Sequence, residues 1–209
     1  MSILEKLASS LNRRDELPNQ ALAQEIVQKE DVEAIQELVT NLSNKKAIQN
    51  DCIKVLYEIG SQKPALIANY LDEFVKHLSS RNNRLQWGAM MALNAIANER
   101  PGEVHAMLPT ILSASDGGSV ITKDHAVNIL IKLCSIEGYA DNAFSLLTEQ
   151  LLKSPVNQLP MYAERALTIV NKDRRGLFVD TLGSRLGDIG AESKRKRVEQ
   201  VKRKANKLV

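Results

Sequence analysis

RLQWGAMMALNAIAN, residues 84–98, is the stretch that decides the fold. Leu85, Ala89, Ala92, Leu93 and Ile96 stand at i, i+4, i+7, i+8 and i+11, one apolar stripe of a 3.6-residue helix. The stripe recurs 37 residues upstream as Ile48, Cys52, Val55, Leu56 and Ile59. It recurs 37 residues downstream as Thr122, Ala126, Ile129, Leu130 and Leu133, and again as Leu159, Ala163, Ala166, Leu167 and Val170. A fixed period of this size, with helical spacing inside each copy, calls for stacked helix pairs instead of one closed core. The Cys52, Ala89, Ala126 and Ala163 column is small enough to admit a neighbouring helix, while the Leu and Ile columns fill the space between layers.

The first helix of each pair is less regular. Leu71, Val75 and Leu78 have counterparts in Leu108 and Leu112 and in Leu182, Leu186 and Ile189, but Phe144, Leu147 and Leu151 are displaced by one residue. Ser43, Ser80, Gly117 and Ser154 share a column at the turn within each pair, and Pro64, Pro101 and Gly138 share one between pairs. The pattern predicts about twelve helices, over 2–12, 18–28, 31–42, 47–60, 65–79, 84–98, 103–114, 120–135, 140–152, 158–171, 175–187 and 192–208. SASDGGS at 113–119 is the longest break and the expected flexible point. The fold class is all-α, a right-handed α-α superhelix of about six hairpins. Residues 1–190 form the repeat domain, and 191–209 form a basic C-terminal capping helix within it.

Composition bounds the function. The 209 residues are 44% hydrophobic, 25% charged and only 4% aromatic, so the core is built from Leu, Ile, Val, Ala and Met. No run approaches the roughly 18 uncharged apolar residues of a membrane span. The N-terminus lacks a secretory apolar region, with Glu5 and Lys6 interrupting it. Cys52 and Cys134 are too few for a disulfide framework and occupy small-residue columns, so they are read as packing residues in a reducing, cytoplasmic setting. Net charge is +3, unevenly placed: 20 Lys/Arg against 23 Asp/Glu over residues 1–190, and eight Lys/Arg against two Glu beyond.

The second-helix pattern, apolar-x-x-x-Ala-x-x-x-Leu-x-x-Ile, resembles the HEAT/armadillo class of repeats. VHAMLPTILSASD at 104–116 resembles a HEAT first helix with its mid-helix Leu-Pro, and Pro109 is expected to kink that helix about four residues upstream. The resemblance covers about residues 31–190. Two departures stand out: the family's turn Asp appears as Ser or Gly, and its second-helix Arg appears as Gln49, Gln86, Lys123 and Pro160. An Asp–Arg ladder between repeats is therefore not expected. The resemblance implies binding of a partner along an extended groove, and it implies no particular chemistry.

In such a solenoid the second helices line the concave face. Opposite the core stripe of 84–98 lie Trp87, Met91, Asn94 and Asn98. The matching columns hold Asn50, Asp124 and Met161, then Lys54, Asn128 and Arg165, then Tyr57, Ile131 and Thr168. Aromatic and Met side chains bury much area at modest entropic cost, so this strip is the candidate partner-binding site. Tyr57, Trp87, Met91 and Ile131 are its centre, with Asn94 beside them, and Arg165, Lys54 and Lys172 form a polar rim. The competing expectation is that repeat curvature tucks some of these side chains against the next helix as peripheral core.

The tail SKRKRVEQVKRKANKLV, residues 193–209, carries Val198, Val201, Ala205 and Leu208 as a narrow apolar stripe. Lys194, Arg195, Lys196, Arg197, Lys202, Arg203, Lys204 and Lys207 occupy the rest. A solenoid cap with a polar outer face, a nucleic-acid-binding helix and a targeting signal all fit this pattern.

Catalytic signals are poor. His77, His105 and His125 have no Cys or carboxylate pair at ligand spacing, and no Gly-rich phosphate loop, nucleophile elbow or HExxH occurs. Trp87 and Asp124 fall in columns that a HEAT-like DNA repair glycosylase would use, the one enzymatic alternative. The expectation is a non-catalytic scaffold for a protein or peptide partner, with no cofactor, no metal and no membrane. A nucleic-acid-associated protein is the alternative.

Overall fold

In the computed structural model, residues 2–208 are described, and all regular structure among them is helical. The chain begins with a 3-10 turn, Ile3–Lys6. Then follow α1 Leu17–Lys29, α2 Val32–Thr40, α3 Lys46–Gln62, α4 Leu71–His77, α5 Asn83–Ile96, α6 Pro101–Ala106 and α7 Leu108–Gly117. The remaining elements are α8 Val120–Leu133, α9 Ala140–Lys153, α10 Leu159–Ala166, α11 Lys172–Ser184 and α12 Glu192–Asn206. The total of twelve matches the expectation for a different reason: the helix expected over 2–12 is absent, and the one expected over 103–114 is two.

The missing helix has a local cause. Buried Asn19 accepts the Ala8 N–H at 3.0 Å through Oδ1 and donates to Asp51 Oδ1 at 2.8 Å, while Asp51 Oδ2 accepts the Ser9 N–H at 2.8 Å. Two backbone donors that a helix would spend on its own carbonyls are thus held by side chains of α1 and α3. Leu7 and Ala8 are buried by this tether.

The split of the seventh expected helix belongs to Pro109. It sits in the first turn of α7, where its missing N–H costs nothing, and the chain breaks at Met107, two residues from the proline instead of four. The 113–119 segment is not a long break. α7 runs through Gly117, and Lys123 Nζ donates to the carbonyls of Ser115 and Asp116. The helix expected over 65–79 is helical only from Leu71, after two 3-10 turns at Pro64–Leu66 and Ala68–Tyr70.

The periodic columns are the core. Cys52, Ala89, Ala126 and Ala163 are fully buried, as are Leu56, Leu93 and Leu130, and Ile59, Ile96 and Leu133. Leu167 is half-buried, because α10 ends at Ala166 and the chain tightens into a 3-10 turn. Helices α3, α5 and α8 begin at Lys46, Asn83 and Val120, 37 apart. α10 begins two residues late, at Leu159, with Pro160 in its first turn.

The chain divides into two compact units, Met1–Ala126 and Val127–Val209, the boundary falling inside α8. In the first, α3 lies between α1 and α5. Gly88 brings α5 close to α3: a Cβ there would stand 2.6 Å from Ile53 Cγ1. In the second, α12 packs on α10 and α11 and buries Val198, Val201 and Ala205.

The column where HEAT repeats carry Arg has a different use here. Gln86 Nε2 donates to the Leu78 carbonyl at 2.8 Å, and Lys123 serves the end of α7 in the same way. Pro160 has no donor to offer. Arg185 takes over, donating to the carbonyls of Leu151 at 2.8 Å, Leu152 at 2.5 Å and Ser154 at 3.1 Å. Each first helix of these pairs thus has its C-terminal carbonyls satisfied by a side chain, from a different position when the sequence demands it.

Candidate functional site

Four of the residues singled out in the sequence, Tyr57, Trp87, Met91 and Asn94, lie in the first unit on α3 and α5. Trp87 is half-buried, and its ring stands 5.7 Å from that of Tyr57, tilted by 46°. Such a tilted pair is favourable beyond the area it buries. Tyr57 is only 6% exposed, so it is the buried support of Trp87 and not itself an open anchor. Burial pushes its phenol pKa up, the Lys54 side chain opposing. Met91 is half-buried one turn along from Trp87. The Asn94 amide lies 3.0 Å from His125 Nδ1.

Lys54, expected on a polar rim, is instead 4% exposed. Its Nζ pairs with Glu16 Oε2 at 2.8 Å and Glu58 Oε1 at 2.5 Å, and lies 4.9 Å from the Tyr57 ring centre. Burial acts to lower the Lys54 pKa, but the hydrogen bonds to Glu16 and Glu58 outweigh it and hold the ammonium charged. Glu16 also receives Arg84 Nη2. Its carboxyl is held below the usual range first by the Lys54 hydrogen bond, with Arg84 adding to it. Glu16 precedes α1, Lys54 sits on α3 and Arg84 lies in the first turn of α5, so one carboxylate ties these three alternate helices together. Sequence reasoning missed Glu16 and Arg84. The two are 68 residues apart, and nothing local marks either as a partner of the other.

The other two, Ile131 and Arg165, lie in the second unit. Ile131 is half-buried on α8, and exposed Arg165 on α10 donates to Asn128 Oδ1 at 3.2 Å. Lys172 is exposed at the start of α11. Asp124 and His125 are half-buried in the first unit. Among the described residues no three His, Cys, Asp or Glu side chains come together as metal ligands, and no helix is long and apolar enough to cross a membrane. Both thiols are buried: desolvation pushes Cys52 up to about 12 and Cys134 up to about 11.

The eight basic residues of the tail separate into two groups. Those at the start of α12 are engaged. Arg197 forms a two-pronged pair with Glu164, at 2.8 and 2.7 Å, Arg195 donates to the Ile189 carbonyl at 2.7 Å, and Lys194 donates to Asn157 Oδ1. Lys196 pairs with Glu192 at 2.6 Å. Nearer the C-terminus, Lys202 is half-buried with its Nζ beside Gly183 of α11, while Arg203, Lys204 and Lys207 are exposed and make no such bonds among the described residues.

No family model matches the chain, and no curated protein does. Solved structures do. One, an engineered protein from a structural genomics programme, superposes with a TM-score of 0.65 at 20% identity over 99% of each chain. A designed armadillo repeat protein superposes with a TM-score of 0.62 at 15% identity over 98% of each chain. The chain has an all-α, armadillo-like helical-repeat fold.

Proposed function

We propose that this chain is a non-catalytic scaffold that holds a protein or peptide partner on the exposed face of its second helices. The observation that carries the reading is Trp87. The single Trp of the chain is half-buried on α5, keeping part of its ring in solvent, braced from beneath by Tyr57 and flanked by Met91. A rigid aromatic over a buried, charge-neutralised base loses little entropy on contact, which is the physical profile of a binding anchor. Asn94 supplies a polar contact beside it, and Ile131 and Arg165 offer equivalent contacts on the second unit. The neighbouring charges are already paired, so shape and apolar area would select the partner on this face. The likeness to engineered and armadillo repeat proteins supports the scaffold architecture.

A displayed library of random linear peptides, screened on the full chain, tests this. Binders should shift the Trp87 fluorescence, and Trp87→Ala should weaken them at least tenfold, about 1.4 kcal/mol, with Met91→Ala behaving similarly and circular dichroism showing both variants still folded. Failure to select any binder, or binders indifferent to both substitutions, would sink the proposal.

A further inference from the structure

The segment that forms α12 is the most basic stretch of the sequence. Residues 191–209 carry eight Lys/Arg against two Glu, whereas residues 127–190 are balanced at seven of each, so all the net charge of the second unit arises there. The fold itself uses Lys194, Arg195, Lys196 and Arg197, as described above. In the second half, only Lys202 is packed, its Nζ lying beside Gly183 of α11. Arg203 and Lys207 make no hydrogen bond or ion pair among the described residues, and Lys204 meets the Glu164 carboxylate only through space. With Gln200, these three line an open recess of about 450 Å³ that contains no acidic side chain. Three neighbouring cations, only one of them within electrostatic reach of a carboxylate, repel one another, an arrangement stabilised by an arriving anion.

The chemistry of that face narrows the partner. Its apolar stripe is turned inward and buried at Val198, Val201 and Ala205, which leaves nothing to insert into a lipid bilayer. The recess offers Lys, Arg and Gln and no aromatic or aliphatic anchor, the opposite of a protein-docking core, where Lys is depleted. A polyphosphate backbone needs only what is present: mobile ammonium groups, one guanidinium fork for phosphate oxygens and an amide donor. The 15 residues of α12 extend for about 22 Å, long enough to follow several consecutive phosphates.

We infer that the face of α12 formed by Gln200, Arg203, Lys204 and Lys207 binds the phosphate backbone of duplex nucleic acid, without regard to sequence. This surface is separate from the Trp87 face and can operate whether or not that face binds peptides.

Substitutions are the appropriate probe, because deleting α12 would uncover the core of α10 and α11. Fluorescence anisotropy of a labelled 20-base-pair DNA duplex, titrated with the full chain between 50 and 200 mM salt, reads the contact directly. With three phosphates neutralised, log K should fall against log salt with a slope of about −2.7. Arg203→Gln should reduce that slope by about one unit. The triple variant R203Q/K204Q/K207Q, altered only at exposed positions, should lose at least tenfold in affinity at 50 mM salt, and Trp87→Ala should lose nothing. Absence of duplex binding at 50 mM salt overturns the inference. So does binding with an unchanged slope in the triple variant, or co-sedimentation with phosphatidylserine vesicles by a chain that leaves the duplex unbound.

Discussion

Lys54 shows how one residue changes meaning between sequence and structure. On a helical wheel it sits with solvent-facing positions, yet it is buried between two carboxylates and over an aromatic ring. Breaking a buried pair leaves a desolvated charge behind, and the cost of doing so commonly exceeds the pair's net worth. Glu16→Gln should therefore destabilise the chain, by about 1–2 kcal/mol, because Glu58 still partners Lys54 and Glu16 is partly exposed. Because Lys54 and Arg84 lower the Glu16 pKa on folding, the carboxylate contributes stability above its unfolded value, near 4.5, and loses it as pH falls further. Urea melts from about pH 6 to pH 3 should accordingly show a shallower acid loss in Glu16→Gln than in the parent; parallel curves would remove Glu16 from the network. The thiols give a second test at this scale. With Cys52 and Cys134 buried and their pKa values raised, neither is a thiolate at neutral pH. Ellman's reagent should label the native chain slowly and both thiols at once in denaturant. Fast native labelling of either would mean that its helix opens readily.

At the scale of the element, the pattern of caps matters more than helix propensity. Gln86 and Lys123 close their first helices from one column of the repeat, and Pro160 breaks that column in the next. Arg185 is the replacement, and its planar fork reaches three carbonyls at once. Arg185→Met keeps the stem and strips the donors, so it should cost about 2–3 kcal/mol by leaving part-buried carbonyls unpaired. Arg185→Lys should recover only part of that, since an ammonium cannot match the fork. Chemical denaturation of the three proteins decides, and equal midpoints would show that water serves those carbonyls as well. Close helix approach is the other elemental constraint. Gly88→Ala should lower stability by about 1–3 kcal/mol, because the new methyl group meets the branch of Ile53 and not a flexible tip.

At the scale of the compact units, stacked helices are stabilised mainly by interfaces with their neighbours, so an outermost layer needs a cover. In the first unit the Asn19–Asp51 tether holds the backbone of Ala8 and Ser9 against α1 and α3. In the second, α12 covers α10 and α11 with Val198, Val201 and Ala205. A chain ending at Gly190 should melt at lower temperature and bind a hydrophobic dye that the full chain ignores. An unchanged melt would mean that α12 is an appendage. The same helix thus serves two ends: its inner stripe closes the core of the second unit, and its exposed Arg203, Lys204 and Lys207 form the face proposed to bind phosphate.

Amphipathic spacing and its recurrence were sufficient to read the helices, the all-α repeat class and most of the core, because burial of one stripe per helix follows from local periodicity alone. Trp87 and Met91 were legible as candidate contacts for the same reason, since they fall opposite that stripe. The inward stripe of the tail and its basic remainder could be read in the same way. Long-range pairing was not legible. The tether that abolishes the first helix, the placement of Lys54 and Tyr57 inside, the takeover of the Pro160 position by Arg185 and the division of the tail's cations into engaged and free depend on side chains that meet only after the helices stack. A hydrogen bond or ion pair across more than 30 residues leaves no periodic trace, and tertiary packing alone decides which polar groups lose their water.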